Sequence, residues 1–119
     1  MKLNHDMPVK SAIYCEPEED FKYSMPHHFS VFDTSGKQNA YTGYVDFQEG
    51  PVNAAGRNGL RDEELLFMIK TRLQYAMMVP GYDTIENKIA YESISKAIEA
   101  LSERTKDRQR RGVESSDRP

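Results

Sequence analysis

The chain has no tryptophan, one cysteine, and no apolar run approaching the roughly 20 residues that a bilayer-spanning helix requires. Each shortage excludes something. With Cys15 alone there is no intramolecular disulfide and no Cys-x-x-Cys pair for zinc or redox chemistry, which fits a reducing cytosol. The opening MKLNHDMPVK lacks the apolar core of a secretory signal, so the expectation is a soluble protein that is not secreted and uses no membrane. Positive charge is not in excess either. Lys and Arg number 16 against 19 Asp and Glu, a formal charge of −3, which repels duplex nucleic acid and confines any anion site to a local cluster.

What remains is 119 residues, enough for one modest domain. At that size folding buries about two-thirds of the surface that the unfolded chain exposes. Apolar residues make up 38%, lean for a compact monomer, which suggests that neighbouring subunits complete the core.

Two periods divide the chain. From Ile13 to about Val52 the pattern is short and alternating, with Phe29 and Val31 on one parity and Tyr41, Gly43, Val45 and Phe47 on another. The turn-forming run from Asp33 to Lys37 predicts that HHFSVFD and NAYTGYVDFQ pair as an antiparallel hairpin. Ser11 to Glu16 and Asp20 to Ser24 are weaker strand candidates, and the first ten residues read as an arm. The loop EGPVNAAGRNG, residues 49 to 59, leads out of the sheet. Beyond it Leu65, Ile69, Leu73 and Ala76 form a helical stripe with Asp62 placed to cap it, and Pro80-Gly81 ends it. Asp83 and Glu86 then resemble a capping box that opens a longer helix with Ile89, Ile94, Ile98 and Leu101. The expected fold is α+β: an arm and antiparallel β-sheet over 1–60, an antiparallel two-helix hairpin over 61–112 that oligomerises through its helices, and a polar tail over 113–119.

The second helix closes with ERTKDRQRRGVE, residues 103 to 114, in which Arg104, Arg108 and Arg111 fall at i, i+4 and i+7 on one face. Two roles suit such a column. Cations near a helix C-terminus offset the macrodipole and pair with neighbours such as Glu103 and Asp107. The planar guanidinium fork also binds phosphate oxygens in pairs, and the segment uses arginine four times against one lysine, Lys106. Thr105, Gly112, Ser115 and Ser116 add hydroxyl and backbone donors. In the first turn of the same helix, Asn87 either bonds the local backbone or reads a base or ribose. Tyr75, Met77, Met78 and Tyr82 cluster at the bend, as core or as a stacking platform for a purine. Base platform and arginine column lie more than ~25 Å apart along one helix, so one pocket containing both needs a second chain.

The run FQEGPVNAAGRNGL followed by DEELL, then Glu86-Asn87, and the closing R-T-x-D-R-x-x-R-G-V-E resemble the phage anti-defence sponges that share a helical hairpin domain, the Thoeris anti-defence and anti-CBASS proteins. The resemblance covers roughly residues 45 to 114, and the N-terminal sheet fits the Thoeris anti-defence branch best. It implies a protein that is not an enzyme and carries no cofactor. Such sponges act in the cytoplasm of the infected bacterium as dimers building to hexamers. They sequester cyclic ADP-ribose isomers made by TIR-domain enzymes, and some also take cyclic di- or trinucleotides at separate sites between subunits. Carried over by position, the resemblance implies that Asn87 meets the adenine or ribose and that Arg104 and Arg108 grip the phosphates, with Thr105, Arg111 and Gly112 beside them. Ala76 stands where the family has an aromatic at the bend, which leaves Tyr75 and Met77 as the expected stacking contacts.

Other chemistries have less support. Adjacent His27 and His28 on a strand point to opposite faces and match no metal spacing, so a structural role is expected. Cys15 has no evident histidine partner and is a poor nucleophile candidate. The alternative function is a small nucleic-acid-binding or protein-interaction module that uses the arginine cluster.

Overall fold

A computed structural model describes residues 1–111, and the chain divides into two compact units, Met1–Leu60 and a second from Arg61 onward. The expectations for Gly112, Ser115, Ser116 and the 113–119 tail lie outside the described residues.

The first unit is a four-stranded antiparallel meander: β1 (Lys2–Leu3), β2 (Ser11–Cys15), β3 (His28–Asp33) and β4 (Thr42–Asp46), adjacent in that order. The expected hairpin is there, with Phe29 opposite Val45 and Val31 opposite Gly43. Strand alternation puts Leu3, Ile13, Cys15, Phe29, Val31 and Val45 on one face. Phe47 extends that row with its ring edge-on to Phe29 at 5.7 Å. The opposite face carries Ala12, Tyr14, Ser30, Phe32 and Tyr44, and Tyr14 meets Phe32 edge-to-face at 5.7 Å.

Two expectations fail here. The first ten residues are not only an arm, because Lys2 and Leu3 pair with Tyr14 and Ile13 as an edge strand. Residues 20–24 are not a strand. A 3-10 turn (Glu18–Asp20) precedes an isolated bridge between Lys22 and Met25. Tyr23 and Ser24 between them have φ of 55° and 63°, a left-handed conformation that no ladder accommodates.

The 48–60 segment is more than a change of direction, because it is densely bonded. Gln48 N–H donates to the Leu60 carbonyl at 2.7 Å and Leu60 N–H to Asp46 at 2.9 Å, which ties both ends to the sheet. The Gln48 side chain donates to Gly56 O at 2.8 Å and accepts from Asn58 N–H at 2.9 Å, while Asn58 exchanges two 2.8 Å bonds with the Glu49 backbone. Gly59 is required because a Cβ there would lie 2.5–2.7 Å from backbone atoms of Phe47 and Gln48. A one-turn helix, α1 (Val52–Ala55), caps the loop.

The second unit is the helical hairpin, α2 (Asp62–Ala76) and α3 (Ile85–Arg110). Its caps differ from the sequence reading. Asp62 is the first helical residue, and the opening turn is closed by Glu64, whose carboxylate accepts from the Arg61 N–H at 2.8 Å. In α3 the cap is Thr84, whose hydroxyl accepts from the Asn87 N–H at 3.2 Å. Asp83 lies one residue too early for that bond. The helices run antiparallel: Thr105 near the end of α3 bonds Glu63 at the start of α2, and the Lys70 ammonium sits 5.5 Å over the Tyr91 ring. Among the described residues, neither helix has a buried side chain.

Candidate functional site

Helix α3 holds its arginines because its last turns are strong helix formers with no Gly or Pro before Arg110. The column expected from spacing therefore stands on one face, half-exposed at Arg104 and half-buried at Arg108. Acidic neighbours already engage it. Glu63 of α2 lies with one carboxylate oxygen 4.0 Å from the Arg104 guanidinium, and its other oxygen accepts from the Thr105 hydroxyl at 3.2 Å. Asp107 pairs with Arg111 at 3.0 Å and with Arg110 at 3.7 Å, and Lys106 pairs with Glu103 at 3.4 Å. These are the surface pairs that the dipole-and-solvation reading foresees, and exposed pairs of this kind are worth at most about 1 kcal/mol each. They are weak enough to exchange for a better anion.

Sequence reasoning alone does not find Glu63. It sits 42 positions from Thr105, and only the antiparallel hairpin brings the two together. Beside it a hollow of about 360 Å³ is lined by Glu63, Glu64, Phe67, Met68 and Ile98, so the base of the arginine column borders apolar surface.

The other candidates gather at the opposite end of the hairpin. Asn87 is half-buried, and its side-chain amide donates to the Tyr82 carbonyl at 2.8 Å, the local backbone role foreseen as one option. Met77 closes α2 as its C-cap. Around it Tyr75 is 67% exposed, Met78 74%, Tyr82 61% and Ile85 68%. Arg104, Thr105 and Arg108 thus lie within the last two turns of α3 at one end of the hairpin, and Asn87, Tyr75 and Met77 lie in or beside the bend at the other. About 17 residues of helix at 1.5 Å each, roughly 25 Å, separate the two groups within one chain.

The sheet unit holds a second polar cluster. His27 is buried, with the Tyr23 ring edge-on at 6.3 Å, whereas His28 is exposed and lies between two carboxylates. Among the described residues, no group of three or more His, Cys, Asp or Glu side chains has metal-binding geometry, and no helix is long and apolar enough to cross a membrane.

A four-stranded meander followed by an antiparallel hairpin with a terminal arginine column is the α+β organisation expected from the sequence. No protein-family model matches the chain. Along 95% of its length the chain is similar to Thoeris anti-defense 1 of Bacillus phage SBSphiJ7, 29% identical over 136 aligned positions that cover 95% of that protein as well. The resemblance therefore extends beyond the 45–114 segment and takes in the sheet.

Proposed function

We propose that this protein is a phage anti-defence sponge that binds cyclic nucleotide immune messengers in the cytoplasm of the infected bacterium and holds them unaltered. Cyclic ADP-ribose isomers from TIR enzymes are the first expected ligands, and cyclic di- or trinucleotides the second. The reading is carried by similarity to a Thoeris anti-defense protein along nearly the whole of both chains. Sequestration needs binding groups and no reacting ones, and the polar groups of the hairpin suit that requirement.

The site is completed by a second copy. One subunit contributes Arg104, Thr105, Arg108 and Arg111 to the phosphates, and its partner offers Asn87, Tyr75 and Met77 to the base and ribose. Support comes from two features of the hairpin. Its helices bury no side chain among the described residues, and the bend presents an exposed apolar cluster, as a surface awaiting a partner does. In the free protein Glu63 holds Arg104 and Thr105 in place, and a phosphate takes over both donors on binding.

The test is to purify the protein from cells that make TIR-derived or cyclase-derived messengers, release the ligand by heat and weigh it by mass spectrometry. Recovery of intact cyclic nucleotide supports the sponge; recovery of a hydrolysed product points to an enzyme. Capture of random oligonucleotides that collapses in moderate salt points to the nucleic-acid-binding module instead.

A further inference from the structure

The sheet unit contains a histidine whose surroundings suit only its charged form. His28 Nδ1 lies 2.8 Å from Asp46 Oδ1 on β4, and His28 Nε2 lies 3.2 Å from Glu49 Oε2 at the entry of the 48–60 loop. Ionised carboxylates only accept hydrogen bonds, and a neutral imidazole has a single N–H. A neutral ring would therefore leave one nitrogen lone pair facing a carboxylate, whereas the imidazolium donates to both.

Charge around the ring points the same way. Glu16, in the turn after β2, accepts from the backbone N–H groups of His27 and His28 at 3.1–3.2 Å, placing a third carboxylate beside the imidazole. Lys22 meets the other oxygen of the Glu49 carboxylate, 3.3 Å from its Oε1. The hydrogen bond to Asp46, reinforced by Glu49 and by the charge of Glu16, holds the His28 pKa above the ordinary histidine value against the pull of desolvation. Desolvation likewise pushes Glu49 upward, but its bonds to His28 and Lys22 win and keep it below the usual carboxylate range.

We infer that His28 is a protonation-dependent clasp that fastens the entry of the 48–60 loop to the sheet, closed as the imidazolium and loosened when the ring loses its proton. The Gln48–Leu60 and Asn58–Glu49 bonds also hold the loop there, the Tyr23 ring rests against Gly50, which has φ of +83°, and Lys22 is exposed. Among the described residues the His28–Glu49 contact is therefore the one fastening that depends on the charge of the imidazole. A histidine with a raised folded-state pKa contributes its stabilisation below the unfolded value and loses it as pH rises through the folded one. Loop opening should therefore increase on the alkaline side. The increase is about tenfold for each pH unit by which the His28 midpoint with the loop closed exceeds its midpoint with the loop open. Because Asp46 belongs to β4 and stays beside the ring in both states, that difference is the share supplied by Glu49.

Nuclear magnetic resonance on the full chain tests this without a variant. The His28 ring is titrated directly, and hydrogen exchange of the Gln48, Asn58 and Leu60 amides, corrected for the intrinsic pH effect, is followed over the same range. The expected result is a His28 midpoint above about 6.5, with loop protection falling through that midpoint. Glu49→Gln should abolish the coupling, since an amide can face either ring nitrogen as donor or acceptor. A midpoint at or below that of a free histidine, or loop protection indifferent to the titration, would overturn the inference. Messenger binding is not involved, so the outcome is independent of the proposed function.

Discussion

The two units solve the problem of a lean composition differently. The sheet unit closes on itself: Ala12, Cys15 and His27 are buried, the Gln48 and Asn58 side chains tie the loop, and ion pairs link turn, strand and loop. The hairpin unit buries nothing among its described residues and leaves Phe67, Tyr75, Met78, Ile85 and Ile89 exposed. The sheet unit also exposes Tyr41 and Tyr44 but is held by buried residues and bonded side chains. The hairpin sets its exposed apolar side chains on helices that carry a column of arginines, and contiguous surface of that kind is where interaction sites are found. Under the proposed function the first unit supplies stability and the second recognition.

Substitutions should respect that division. The largest effect belongs to the column. Arg104→Ala and Arg108→Ala should each weaken messenger binding by about 1.5–3 kcal/mol, roughly 10- to 150-fold, while leaving the melting temperature near that of the parent. Calorimetry with a cyclic ADP-ribose isomer reads the first and a thermal scan the second. The mirror case is Gly59→Ala in the sheet unit, where a Cβ collides with rigid backbone. Its expected cost is about 1–3 kcal/mol of stability, with affinity kept at temperatures where the protein is folded. Next comes Thr84→Ala, which removes the hydroxyl that caps α3. It should cost about 1 kcal/mol by denaturant titration. The smallest effect sharpens the comparison within the hairpin. Glu63→Gln removes the charge that holds Arg104 and should tighten messenger binding a few-fold, since a surface pair worth at most about 1 kcal/mol no longer competes. Weaker binding of this variant would mean that Glu63 orients the arginine for the ligand and does not compete with it.

Legibility follows the range of the interactions. The α2 stripe Leu65, Ile69, Leu73 and the β3–β4 alternation repeat within a few residues, and both elements stand where the pattern puts them. Lys2–Leu3 is hidden because two residues carry no period, and only Tyr14 and Ile13 opposite make them a strand. Asp20 to Ser24 misleads because its mix of apolar and polar residues imitates alternation, while Tyr23 and Ser24 adopt positive φ. The caps are displaced by a residue or two: threonine at 84 does the work expected of Asp83, and Glu64 at the third helical position compensates for an arginine that cannot accept. In the candidate site the i, i+4, i+7 spacing makes the arginine column readable. Glu63 beneath it, and the Asp46 and Glu49 carboxylates flanking His28, are contacts across 18 to 42 positions that no local pattern encodes.

The claim on which the functional reading rests is that a single copy cannot assemble the site, because its arginines and its base platform occupy opposite ends of one long helix. Sedimentation equilibrium of the protein saturated with a cyclic ADP-ribose isomer, followed at the nucleotide's absorbance, addresses it directly. The expected result is ligand travelling with a dimer or a larger assembly and absent from any monomer fraction. Ligand carried by a monomer would contradict the account.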